Sequence, residues 1–120
     1  MKLSKRQLRV GSLLQQELAE VLLREMDWAH SGTLLTVTGV RVSPDLAIAR
    51  CYVSLYGGRT EELFARLDSD SPEIRLRLGR RMGKSMRIIP QLIWQRDESL
   101  DEVDRIDALL QSIRPTTEPG

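Results

Sequence analysis

Thr33-Leu34-Leu35-Thr36-Val37-Thr38-Gly39-Val40-Arg41-Val42 runs into Ser43-Pro44-Asp45-Leu46 and then into Ala47-Ile48-Ala49-Arg50-Cys51-Tyr52-Val53-Ser54-Leu55-Tyr56-Gly57-Gly58. The first run has a period of two, with Leu35 and Val37 apolar at odd positions and Val40 and Val42 at even ones. The phase changes at Gly39, and a glycine where the alternation slips is the sequence mark of a β-bulge. Ser43-Pro44-Asp45-Leu46 is turn chemistry. In the second run Ala47, Ala49, Cys51, Val53 and Leu55 alternate with Ile48, Arg50, Tyr52, Ser54 and Tyr56, the pattern of a half-buried strand that Gly57-Gly58 ends. Together the runs predict an antiparallel hairpin.

On the N-terminal side, Ser4 and Gln7 fit a capping box. Val10, Leu14, Leu18, Val21 and Leu22 follow at helical spacing, so residues 5–26 read as one amphipathic helix. Its first turn carries Lys5 and Arg6, the unfavourable sign for a helix N-terminus. Beyond the hairpin, Thr60 is placed to cap a short helix with Glu61 and Glu62 in its first turn and Leu63, Phe64 and Leu67 on its apolar side. Asp68-Ser69-Asp70-Ser71 breaks that helix. Ser71 as N-cap with Pro72 at the first helical position then opens a second one. Ile88 to Gln95 reads as a third strand, with Leu92 and Trp94 on one side, Ile89 and Ile93 on the other, and Pro90 near its start. Ser99 with Glu102 opens a last helix that aligns Val103, Ile106, Leu110 and Ile113. The order is α-β-β-α-α-β-α, with residues 1–114 as a single domain and 115–120 as a short disordered tail.

The 120 residues suffice for a core without disulfide or metal staples, and 41% apolar with 29% charged residues is ordinary for a soluble globular chain. No apolar run approaches a membrane span, and the basic Met1–Arg6 start lacks the apolar stretch of a secretory signal. The single Cys51 permits no internal disulfide, consistent with a cytoplasmic protein. A net charge of +1 conceals separated signs. Residues 1–9 carry Lys2, Lys5, Arg6 and Arg9 without an acid. Residues 97–107 carry Asp97, Glu98, Asp101, Glu102, Asp104 and Asp107 against Arg105 alone.

Between these lies the most basic stretch, in which Arg75, Arg77, Arg80, Arg81, Lys84 and Arg87 stand against Glu73 alone. Arg77, Arg80, Arg81 and Lys84 fall at i, i+3, i+4 and i+7, one face of a helix running from Pro72 to about Met86. Ile74, Leu78, Met82 and Met86 give that helix a separate apolar seam. Like charges stacked at this spacing repel by a few tenths of a kcal/mol per pair, so the stripe suggests a surface kept for a polyanion. Counterion release makes such a cluster a phosphate-binding surface with marked salt dependence. The competing reading is a solvated face, or pairing within the chain to the acids of 97–107. Gly79 or Gly83 can end the helix, and an end at Gly83 would move Lys84 into a basic loop.

Other chemistry is poorly supported. His30 has no Cys or His nearby to complete a metal set, and Cys51 sits on an apolar strand face where a thiol is inert. No nucleophile elbow, Walker A or dinucleotide fingerprint is present. The acids at 97–107 surround a helix N-terminus, where the dipole explains them without catalysis. Tyr52 and Tyr56 share the polar face of the second strand with Arg50, a place from which they could stack on bases, but with aromatics at only 4% of the chain packing or partial exposure is the favoured role. Gly79-Arg80-Arg81-Met82-Gly83 is one residue too long for the Gly-x-x-Gly clamp of KH domains, and it lies inside the helical pattern. No catalytic residue, metal or cofactor is expected.

Several stretches, in order, resemble the ribosome-binding factor A family of bacterial small-subunit assembly factors. They are Arg9-Val10-Gly11 with Glu17-Leu18, Thr36-Val37-Thr38-Gly39-Val40, Ser43-Pro44-Asp45-Leu46, and Ala49 with Tyr52-Val53-Ser54. Further along come Ile74-Arg75, Arg87-Ile88-Ile89-Pro90-Gln91-Leu92, Asp97 with Ser99, and Arg105-Ile106 with Leu109-Leu110. The resemblance implies an α+β, type II KH-like fold, in agreement with the element order, with a three-stranded sheet covered on one face by helices. It implies a non-enzymatic, monomeric factor that binds the free small subunit and 16S rRNA and assists late maturation, including rRNA 5′-end processing. Under that reading Arg75, Arg77, Arg80, Arg81, Lys84 and Arg87 contact RNA, with Lys2, Lys5, Arg6 and Arg9 as a second contact. The alternative is a protein-interaction module using the acidic last helix or the exposed sheet face. Two departures stand out. Asp70-Ser71-Pro72 occupies the place of the family's Ala-x-Gly kink between the middle helices, and the stretch from Gly79 to Pro90 is longer than usual.

Overall fold

A computed structural model describes residues 3–30 and 32–97. Helix α1 spans Lys5–Arg24, and a 3-10 turn at Asp27–His30 leads into strand β1, Thr33–Val42. Strand β2 (Ile48–Gly57), helix α2 (Thr60–Ser69), helix α3 (Ser71–Met82), a 3-10 turn (Gly83–Ser85) and strand β3 (Gln91–Arg96) follow. The sheet order is β1-β2-β3, with β1 and β2 antiparallel and β2 and β3 parallel. The parallel pair requires a crossover, which α2 and α3 supply. This is the expected α+β arrangement through β3. The last helix and the tail, with Lys2, lie outside the described residues.

Strand alternation decides which face carries the helices. Val37, Val40, Val42, Ala49, Cys51, Val53, Leu92 and Trp94 are buried on one face, against Leu14, Leu18, Val21 and Leu22 of α1, Leu67 of α2, and Ile74, Leu78 and Met82 of α3. Full burial of each such Leu or Ile stabilises the fold by about 1.5–3 kcal/mol. The expected slip of phase is present. Pairing steps from Val37↔Val53 to Gly39↔Tyr52, so Thr38 is the extra residue of a bulge. That slip lets Val37 and Val40, of opposite parity, both point into the core.

The capping box forms as expected: Gln7 N–H donates to Ser4 Oγ at 3.1 Å, and Ser4 N–H donates to Gln7 Oε1 at 2.9 Å. The same Gln7 amide also reaches Val42 O at 3.0 Å, and Gln15 Nε2 donates to Val37 O at 3.2 Å. Between these two bonds Gly11 brings the helix backbone onto β1. A Cβ added there would lie 2.5 Å from Val40 O. Carbonyls left without a strand partner are costly to bury, and α1 covers three of them along the free side of β1.

Four local expectations are corrected. Thr60 is the first residue of α2 and does not cap it; the cap position is Arg59, at φ 65, without a side-chain bond. Ser71 begins α3, with Asp70 before it, because its hydroxyl is used elsewhere. It donates to Leu67 O at 2.9 Å and accepts from Trp94 Nε1 at 2.7 Å, tying the end of α2 to β3. Helix α3 stops at Met82, short of Met86, because Gly83 takes φ 55; of the two ends anticipated it is the one at Gly83, so Lys84 leaves the stripe and falls in the 3-10 turn. Strand β3 begins only at Gln91, after the proline that cannot donate.

Two glycines should respond oppositely to alanine. Gly11→Ala is expected to lower stability by about 1–3 kcal/mol, because backbone must move to admit the methyl. At Gly79 the added Cβ meets only Ile89 Cγ1 at 3.5 Å, so Gly79→Ala should raise stability by roughly 0.5–1 kcal/mol through helix propensity. Urea unfolding of both variants checks this, and two shifts of the same sign would refute it.

Candidate nucleic-acid interface

Helix α3 buries Ile74, Leu78 and Met82 and turns its cations outward, but the cations differ in what they face. Arg77 and Arg81 lie against α1. Arg77 Nε donates to Glu73 Oε2 at 2.7 Å and its Nη1 to Glu25 Oε1 at 3.3 Å. Arg81 Nε donates to Glu17 Oε1 at 2.9 Å, with Glu25 at 3.4 Å and Glu20 at 3.7 Å. Both guanidiniums are held above their ordinary pKa, Arg77 first by its bonds to Glu73 and Glu25, Arg81 first by its bond to Glu17. The acids that interleave the stripe thus come from a neighbouring helix, and pairing within the chain engages α1 among the described residues.

Arg75 has a different task. Its Nη2 donates to Ile89 O at 2.7 Å and its Nε to Pro90 O at 3.0 Å. These two carbonyls precede β3, so the guanidinium pins the connection onto α3 before the strand begins.

Arg80, Lys84 and Arg87 are exposed and form no ion pair or hydrogen bond among the described residues. Arg80 borders a shallow recess with Pro72, Leu76, Gly79 and Ile89. Leu76 is 51% exposed and Ile88 80% exposed, so apolar surface accompanies the three open cations. Lys5, Arg6 and Arg9 are likewise exposed on the first turns of α1, again without an ion pair among the described residues. The residues expected to contact RNA therefore fall into two separate groups, with Arg75, Arg77 and Arg81 engaged inside the fold.

Glu17, Glu20 and Glu25 are the partners that reading the sequence missed. Their spacing on α1 was visible, but that α1 packs against α3 is a tertiary fact. Cys51 is fully buried, and desolvation pushes its thiol up to about 12. No group of three His, Cys, Asp or Glu side chains positioned for a metal occurs among the described residues, and none of their helices is long and apolar enough to cross a membrane.

Among the described residues, three helices on one face of a mixed three-stranded sheet, in the order α-β-β-α-α-β, define an α+β domain of the KH-like class. The family description ribosome-binding factor A matches residues 6–110. Ribosome-binding factor A of Chlorobaculum tepidum is 38% identical over 109 residues, covering 89% of each chain. That of Chlorobium luteolum is 39% identical over 114 residues, covering 93% of this chain and 94% of its own. The crystal structure of ribosome-binding factor A from Thermus thermophilus superposes with a TM-score of 0.63 at 26% identity, over 75% of this chain and 93% of that one. A Thermus thermophilus homology model fitted into the cryo-EM map of a 30S complex with that factor gives 0.61 at 27% identity, over 73% and 91%. This chain belongs to the ribosome-binding factor A family.

The division of labour within α3 can be measured. Arg75→Ala should lower stability by about 1.5–3 kcal/mol, the worth of charge-assisted bonds to part-buried carbonyls. Arg80→Ala should stay within about 0.5 kcal/mol of the parent. Equal effects in chemical denaturation would show that Arg75 does not clamp the loop. In the folded protein Cys51 should resist thiol reagents at pH 8 and react once denatured, and rapid native labelling would contradict its burial.

Proposed function

We propose that this protein is a non-enzymatic assembly factor that binds the small ribosomal subunit through 16S rRNA and assists its late maturation, including processing of the rRNA 5′ end. Family membership supports the ribosomal partner, as does the Thermus relative fitted into a 30S complex. The observation that carries the reading is the group Arg80, Lys84 and Arg87, whose charges no acid among the described residues neutralises. Phosphate binding needs such uncommitted cations, since counterion release from RNA is the main source of affinity. Arg77 and Arg81 would have to abandon Glu17, Glu25 and Glu73 first. They act instead as the ion-paired spacer that sets α3 against α1.

With no glycine clamp and no visible base-edge code, recognition rests on phosphate positions and rRNA shape. The exposed Leu76 and Ile88 flank the cations and supply apolar contact for sugar or base.

Arg80→Ala, Lys84→Ala and Arg87→Ala combined should weaken co-sedimentation with purified small subunits and flatten the log–log salt dependence by about three. Arg77→Ala with Arg81→Ala should instead act chiefly on stability. Unchanged binding by the triple variant across a salt series would sink this assignment.

A further inference from the structure

The face of the sheet that carries no helix among the described residues has a charge arrangement that the α3 surface does not explain. Arg41 stands between buried Val40 and Val42, and Arg50 between Ala49 and Cys51, both fully buried. Strand alternation therefore points both guanidiniums away from the helices. The bulge at Thr38 sets the register so that Arg41 and Arg50 are direct partners across β1 and β2. Like charges in directly opposed positions destabilise a sheet. Among the described residues, Arg50 Nη1 donates to the neutral Gln95 Oε1 at 3.2 Å and forms no ion pair, and Arg41 has no partner. The acid of the hairpin turn, Asp45, is taken up by the Ser43 hydroxyl and the Ala47 N–H, and Asp97 accepts from Thr38 Oγ1.

Two neighbours make this pair part of a site. Gln7 binds Val42 O, and Leu8, Ser12 and Gln15 of α1 line one recess with Arg41, so α1 borders this site. The recess, about 530 Å³, also reaches Thr38, Gly39, half-buried Tyr52 and the carboxylate of Asp97, which Thr38 Oγ1 holds at 2.7 Å. Gly39 is the cross-strand partner of Tyr52, and no heavy atom lies within 4 Å of where its Cβ would be, so the strand leaves open space beside the tyrosine.

We propose that Arg41 and Arg50, with Tyr52 beside them, form a second RNA-binding surface, in which the arginine pair holds backbone phosphate and the tyrosine receives the adjoining sugar or base. The proposal rests on the ribosomal-RNA reading above and adds a contact on the opposite face of the sheet from α3. A phosphate between the two guanidiniums turns their repulsion into a shared charge-assisted contact. An aromatic ring beside a basic track is the usual platform for an unpaired base. The two basic surfaces would then engage separate rRNA segments, and their affinities would multiply through effective concentration.

The test compares Arg41→Gln with Arg50→Gln, as a double variant of the full chain, against the parent and the Arg80, Lys84 and Arg87 variant, on purified small subunits over a salt series. Binding roughly tenfold weaker at 0.1 M salt, a salt slope lower by about two, and a Tm no lower than the parent's would support the second surface. Parent-like binding by the double variant, with the α3 variant still weakened, would overturn it and leave the general reading intact. Failure of the parent itself to bind would overturn that reading. A lowered Tm with unchanged binding, reproduced by Asp104→Asn with Asp107→Asn, would assign the pair to the chain's own acidic segment and overturn the RNA proposal.

Discussion

The structure depends on how closely α1 can approach the free side of β1. Gly11 permits backbone contact with Val40 O, and Gln7 and Gln15 on either side donate to Val42 O and Val37 O. A side chain at position 11 would force the helix outward and leave polar carbonyls buried without partners. With the helix seated, Leu14, Leu18, Val21 and Leu22 reach the core, and Glu17 and Glu25 reach the arginines of α3. The same contact protects an edge strand that would otherwise offer a row of unpaired groups to another chain. One glycine flanked by two glutamines therefore seats the helix, closes the edge and presents the acids.

This placement sorts the positive charges. Cations facing α1 or the start of β3 are spent on the fold, as Arg77, Arg81 and Arg75 are. Those beyond Gly83 or on the outer side of α3 have no partner among the described residues, as with Arg80, Lys84 and Arg87. Partly exposed ion pairs are individually worth little, but here two arginines share three acids across a helix interface. Their effect is to fix the orientation of α3, and with it the direction in which the open cations point.

Much of the fold could be read from periodicity. The hairpin, the phase change near Gly39, the Ser4–Gln7 capping box and the apolar stripe of α1 are local patterns, and local patterns survive folding. Thr60 and Ser71 depart from expectation for one reason: capping chemistry does not by itself place a residue at the cap. Ser71 instead had a more demanding partner in the indole of Trp94, which sequence spacing could not reveal. The candidate site was less legible. Charge counting found the basic stretch, but separating its free from its committed members needs the packing of α1 on α3. The Arg41–Arg50 pairing depends on register, and the register depends on which residue is the extra one in the bulge.

The Ser71 bridge has a bearing on how the chain reaches this state. Strands β1 and β2 meet through a short turn, whereas β2 and β3 are brought together only after residues 58–90 have been arranged between them. Closing that long segment costs chain entropy before any ladder bond returns it, and such distant pairings slow folding. Ser71 lies partway along the segment and links the end of α2 directly to the middle of β3. With that bond in place the closure between β2 and β3 is divided into two shorter ones, so the junction between α2 and α3 bears on the chain entropy of the crossover as well as on the shape of the fold.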